Sequence, residues 1–272
     1  MQRNDILIEV DELKTKIGNP NLRIFDASIN FFRQDTDKSE YEKYLEGHIP
    51  GAAFFDHKKV SDAANPYQYM IASEEQLTKA IGDMGISADS EVIFYTDGLL
   101  PTATRAWWVL RYAGHNNVRV LNGGLPAWQA AGGDIETISN EYEPVTFECN
   151  LRPQMFANKE DVLAAMDDDT VCTVNTLNSE WYEREHITGS TLLSCMDLLK
   201  DMAFLISDEE LAKKLKDEAQ KEKVITYCGG GFAATVNAVA HLIAGNENVA
   251  VYDGSLSEWT GEGLPISTGA ST

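Results

Sequence analysis

Positive charge is scarce in this chain. Against 43 Asp and Glu residues stand only 22 Lys and Arg, a net charge of -21 over 272 residues. A surface this acidic repels phosphate backbones and anionic lipid, which argues against nucleic acid and membranes as partners. Its plain consequence is solubility, and an anion could be held only where the chain builds a locally positive site. Long apolar runs are missing too. No stretch approaches the roughly 20 residues that span a bilayer, and the opening residues MQRNDILIEVDELKTKIG lack the basic, apolar and small-residue order of a secretory signal. A soluble, cytoplasmic protein is expected. Cysteine is sparse: Cys149, Cys172, Cys195 and Cys228 lie far apart, with no CxxC pair. That spacing argues against a disulfide framework or a zinc site, so any cysteine chemistry falls to a single thiol.

What is present is a repeat. "GHIPGA" at 47–52 returns as "EHITGS" at 185–190, "VIFYTDG" around Tyr95 as "VITYCGG" around Tyr227, and "VRVLNGGLPAW" at 118–128 as "VAVYDGSLSEW" at 249–259. Three matches in one order at a nearly constant offset point to a duplicated domain. Within each copy, short β-branched and aromatic runs such as "LRIFD", "EVIFYT", "VCTV" and "KVITY" read as buried strands of a parallel sheet. Helical patterns separate them: "SEEQLTKAIGDM", "TATRAWWVLRYAG", "DEELAKKLKDEA" and "AATVNAVAHLIAG". In the last, Val236, Val239, Ala240 and Ile243 recur at helical spacing and predict one apolar face. Alternating strands and helices make an α/β fold. The expected division is a first domain over 1–135, a linker with a packed extension over 136–157, and a second domain over 158–272.

The stretch with most chemical content is "YCGGGFAAT" at 227–235. Cys228 closes a predicted strand, and a helix begins a few residues later. Ligands of open α/β sheets bind outside the carboxyl ends of the strands, where helix N-termini present unpaired N–H groups and partial positive charge. A thiol placed there is biased toward the reactive thiolate. Glycine is costly to order, and three in succession suggest bare amides curled around one anionic centre. An inert buried cysteine beside a tight turn is the plainer alternative; it suits Cys149, Cys172 and Cys195, which lack this context.

The motifs also carry a resemblance. Tyr44-x-x-x-His48-Ile49-Pro50-Gly51-Ala52, the run "RAWWVLRYAGHNNVRVLNGGLPAW" at 105–128, "YDGSLSEW" at 252–259 and "CGGGFAA" from Cys228 resemble, in order, signatures of the two-domain rhodanese and 3-mercaptopyruvate sulfurtransferase family. The resemblance implies tandem rhodanese-like domains, each a parallel sheet flanked by helices. Only the second would keep the cysteine, since Thr96 and Asp97 occupy its place in the first. It implies sulfur transfer from a donor such as thiosulfate, or alternatively 3-mercaptopyruvate, through a Cys228 persulfide to cyanide or a thiol. No metal or organic cofactor is implied. The N–H groups of Gly229, Gly230, Gly231, Phe232 and Ala233 would hold the anionic sulfur.

Departures from the family pattern leave the donor open. Thiosulfate-specific members carry basic residues just after the cysteine, where this chain has Gly229 and Gly230. Mercaptopyruvate enzymes carry a serine at the position of Gly230, served by an Asp/His pair that Asp26 and His48 match. The substrate arginines are replaced by Asn175-Thr176-Leu177, with Arg184 the nearest basic residue that could compensate. His48 has a structural alternative, because His186 repeats it in the other copy. Asp253 and Glu258 are expected to fix the loop before the last helix, Trp107, Trp108 and Trp128 to fill the core, and His241 to have no role. A phosphatase of related fold would need an arginine at Ala234. A sulfur carrier or interaction module without turnover is the non-enzymatic alternative.

Overall fold

A computed structural model describes every residue except Phe32, Arg33, Asp35, Ser271 and Thr272. The first half builds a sheet from β1 (Leu7–Ile8), β2 (Leu22–Asp26), β3 (Ala53–Phe54), β4 (Glu91–Tyr95) and β5 (Val118–Leu121). The second half adds β6 (Phe156–Ala157), β7 (Val171–Asn175), β8 (His186–Ile187), β9 (Thr191–Leu192), β10 (Leu199–Lys200), β11 (Phe204–Leu205), β12 (Lys223–Tyr227), β13 (Val249–Tyr252) and β14 (Ile266–Ser267). The two main sheets run β1-β5-β4-β2-β3 and β6-β13-β12-β7-β9, and every pairing in both is parallel. The order is the same in each, position for position, as a duplication requires. The central strands β4 and β12 are buried along almost their whole length, because helices cover both faces of a parallel sheet.

The repeated motifs are repeated devices. His48 Nδ1 bonds the Tyr44 carbonyl at 2.7 Å, and His186 Nδ1 bonds the Tyr182 carbonyl at 2.8 Å. Each ring stacks on its tyrosine, with centroids 3.9 and 3.8 Å apart. The Tyr95 hydroxyl accepts the Ile49 N–H, and the Tyr227 hydroxyl accepts that of Ile187. The indoles of Trp128 and Trp259 each donate, at 2.8 Å, to a carbonyl six residues on. These bonds satisfy polar groups that burial would otherwise leave without water.

The segment after the first sheet packs on the first half: the Tyr142 hydroxyl accepts the Ile24 N–H and donates to the Gly51 carbonyl, and the Val145 N–H donates to Gly82. Its end, Phe156–Ala157, is already the edge strand of the second sheet.

Helix Ala233–Ile243 departs from the expected single apolar face. Ala234 through Leu242 are all buried, Thr235, Asn237 and His241 included. It lies between its own sheet and helix Leu100–Tyr112 of the first half, whose residues Thr102 to Leu110 are likewise buried. A hydrogen bond of 2.7 Å joins Thr104 Oγ1 to Thr235 Oγ1 across this contact. His241, which the sequence leaves without a role, pairs with buried Glu218 at 2.7 Å. Among the described residues no helix is long and apolar enough to cross a membrane.

Candidate active site

Cys228 follows β12 directly, is 3% exposed and lines a cavity of about 470 Å³ between the two halves. The first half contributes Phe31, Tyr69, Leu99, Pro101 and Thr102 to its walls, and the second contributes Leu177, Cys195, Met196, Met202 and Phe232. Among the described residues, no Lys, Arg, Asp or Glu lines it.

The loop is held from behind by Ser255. Its Oγ accepts the N–H groups of Cys228 and Gly231, both at 3.1 Å, and donates to the Tyr252 carbonyl at 2.9 Å. The Cys228 and Gly229 carbonyls accept the N–H groups of Leu256 and Ser257, each at 3.0 Å. The amides of Gly229, Gly230, Phe232 and Ala233 meet no acceptor among the described residues. They form a row that ends at the N-terminus of helix Ala233–Ile243, where the helix dipole adds partial positive charge. Gly231 is therefore not part of the anion cradle expected from the sequence, because Ser255 takes its N–H.

The three glycines serve different ends. Gly231 has φ +76°, and a Cβ there would meet the Asp253 carbonyl oxygen at 2.9 Å. Only glycine suits that turn. A Cβ on Gly229 or Gly230 would meet nothing within 4 Å.

Arg105, which sequence reasoning did not single out, is the main support reaching in from the first half. It is 2% exposed, its Nη1 donates to the Gly231 carbonyl at 3.3 Å, and its Nη2 donates to that of Tyr69 at 2.9 Å. Nη2 also lies 2.7 Å from Asp253 Oδ1, an ion pair held by charge rather than by an aligned hydrogen bond. Asp253 Oδ2 accepts the Ile71 N–H at 2.6 Å. Asp253 thus fixes its loop as expected, and Glu258 accepts the Tyr252 hydroxyl at 2.8 Å. The available signal for Arg105 was a cation in the middle of a helix whose neighbouring residues are apolar or small. Backbone strain gathers here as well: Tyr69, Met202 and Ser255, at φ +64°, +60° and +48°, are three of the four non-glycine residues with positive φ among those described.

Other residues expected at the site lie elsewhere. Arg184 is exposed, pairs with Glu180 at 3.0 Å and covers the Trp181 ring; it does not line the cavity. His48 is locked by Tyr44, with Nε2 3.8 Å from Glu136, and plays the part His186 plays in the other half. Asp26 ends β2 and accepts the Ser28 hydroxyl at 2.6 Å, and Ser28 Oγ accepts the Asp97 N–H at 2.9 Å. That closes the first half's counterpart of the cysteine loop. Neither Asp26 nor His48 lines the cavity around Cys228. Cys195 does line it; burial, with a smaller contribution from Cys228, pushes its thiol up to about 12, so it stays protonated. Burial also raises Cys149 and Cys172.

The rhodanese-like domain family matches this chain twice, over residues 9–131 and 158–262. The chain belongs to the rhodanese-like family. Thiosulfate sulfurtransferase of Bos taurus is 34% identical over 262 residues, covering 90% of this chain and 86% of its own. The 3-mercaptopyruvate sulfurtransferase of Escherichia coli K12 is 31% identical over 264 residues, 93% of this chain and 94% of its own. The crystal structure of SseA, a 3-mercaptopyruvate sulfotransferase from Escherichia coli, superposes with a TM-score of 0.85 at 29% identity over 94% of this chain and 99% of that one. Relatives of this kind run the full length of the chain, and it is a rhodanese-type sulfurtransferase.

Proposed function

We propose that Cys228 is the nucleophile and the sulfur carrier, working in the cytoplasm between a small-molecule sulfane donor and a thiol or cyanide acceptor. The observation that carries the reading is a thiol lining the interdomain cavity, beside four amides at a helix N-terminus that meet no acceptor among the described residues. The Cys228 thiolate attacks the outer sulfur of the donor; that sulfur's bond to the leaving group breaks, and the leaving group departs with the electron pair. The product is a Cys228 persulfide anion, held by the N–H groups of Gly229, Gly230, Phe232 and Ala233. An acceptor such as cyanide then attacks the outer sulfur and leaves as thiocyanate, restoring the thiolate. Negative charge passes through sulfur at each stage, so N–H donors held beside that sulfur stabilise both transition states, each worth about 100- to 1,000-fold.

Treatment with donor alone is expected to add the mass of one sulfur atom to the peptide containing Cys228. Cys228→Ser is expected to lower sulfur transfer by about 10,000-fold or more with an unchanged circular dichroism spectrum. Transfer at the native rate in that variant would remove Cys228 from the role.

A further inference from the structure

We propose that the cleft takes a sulfane donor whose sulfur is carried on an uncharged aliphatic tail, an alkyl persulfide or thiosulfonate, in preference to inorganic thiosulfate or an α-keto acid. The inference rests on the sulfurtransferase reading of Cys228 and concerns what else that site recognises. Its walls are mostly apolar. Phe31, Met196 and Met202 stand 49%, 41% and 38% exposed around the mouth, while Leu99, Leu177 and Phe232 line the interior. Large apolar side chains left exposed on one concave surface mark a binding site, and methionine adapts its shape to irregular aliphatic ligands.

Among the described residues, no counter-charge lines the cavity where a multiply charged donor would need it. Arg105, the buried cation behind the loop, is committed to Asp253, and Arg184 is committed to Glu180 outside the cavity. No charged side chain stands on the described wall. Crowding does not explain this, since side chains at Gly229 and Gly230 would enter open space. Beyond the site, the net charge of -21 disfavours approach by a dianion. The four amides without an acceptor among the described residues suffice for one anionic sulfur head, but an inorganic dianion would leave further charge against hydrocarbon, where it is costly unless paired. A donor with one anionic head and an apolar tail matches both surfaces. The step balances without another reactant: Cys228–S⁻ and R–SO₂–S⁻ give Cys228–S–S⁻ and R–SO₂⁻. The donor S–S bond breaks, a new one forms at Cys228, and the sulfinate keeps the electron pair.

The test is kcat/KM for thiocyanate formation with methane-, ethane-, butane- and hexanethiosulfonate, beside thiosulfate and 3-mercaptopyruvate, at saturating cyanide. The reacting group is constant in the alkyl series, so its slope reports burial of the tail. An increase of about two- to fourfold per methylene is expected until the cavity is full. Thiosulfate and 3-mercaptopyruvate should fall about tenfold or more below the butyl donor. Met196→Asp, at the rim, should flatten the series while leaving the thermal unfolding midpoint unchanged. A flat series in the native chain, or a preference for either anionic donor, with Cys228 still persulfidated, overturns the donor inference and leaves the transferase reading intact. No persulfide on Cys228 from any donor brings down both.

Discussion

One oxygen, Ser255 Oγ, holds both ends of the cysteine turn by accepting the Cys228 and Gly231 N–H groups. The amides it takes are not free for a ligand, and those it leaves are the ones proposed to hold the sulfur. Asp26 answers to a different constraint. Burial raises its carboxyl from 3.8 to about 6, against the opposing pull of the bonds from Ser28. A carboxyl with a raised folded-state pKa binds its proton more tightly folded than unfolded. Its ionisation therefore opposes folding, beginning near the unfolded value and complete above the folded one. A shift of about two units corresponds to a penalty on the order of 3 kcal/mol. Asp26→Asn, which keeps an acceptor oxygen for Ser28, is expected to gain stability relative to the native chain as pH rises from about 4 to 7, by up to about that amount. Urea unfolding across this range measures it, and a difference independent of pH would contradict a buried, titrating Asp26.

Among the elements, the strands were the easiest to read, since a parallel sheet covered on both faces requires short continuous apolar runs and "LRIFD", "EVIFY" and "KVITY" are such runs. Helices were legible in existence but less so in extent and surroundings. The pattern "DEELAKKLKDEA" continues past Lys214, where the helix stops, and beyond it Glu218 turns inward to meet His241. The cysteine loop was legible as a loop, but the division of labour among its glycines was not. Positive φ and the approach of Asp253 confine Gly231, whereas Gly229 and Gly230 face open space. Gly231→Ala is therefore expected to destabilise the protein by about 1–3 kcal/mol, and Gly230→Ala to change stability by less than about 0.5 kcal/mol. Thermal unfolding of the two variants side by side decides it; equal losses would contradict the distinction.

Taken whole, the molecule is two copies of one sheet closed over a shared interior. The largest core cluster draws on both halves, with Trp107 and Trp108 in the same cluster as Val236 and Val239. The chain start also crosses over: Arg3 pairs with Asp208 at 2.7 Å and donates to the Ile206 carbonyl. The hairpin β10–β11 reaches back, its Met202 and Ala203 carbonyls accepting the Leu100 and Gly123 N–H groups. Arg105–Asp253 is the buried ion pair of this boundary, and removing one partner of such a pair strands the other charge. Arg105→Met is expected to cost about 3–5 kcal/mol, and pairing it with Asp253→Asn should recover part of the loss. Chemical denaturation of Arg105→Met, Asp253→Asn and the double variant tests this; a loss in the double variant equal to the sum of the two single losses would show that the pair is not coupled.

Fold class and duplication followed from local order in the chain: apolar runs of strand length and motifs recurring at one offset; a thiol between a strand and a helix likewise marked Cys228 as the candidate nucleophile. Each is a property of neighbouring residues, and neighbours are what a sequence displays. The contribution of Arg105, the capture of the Gly231 amide by Ser255, the exclusion of Arg184, Asp26 and His48 from the cavity, and the apolar character of its walls were decided only by tertiary structure. They depend on which residues, 182 positions apart in the case of Ile71 and Asp253, are brought together when two sheets share one core. Packing across that boundary makes those meetings, and no local pattern records them.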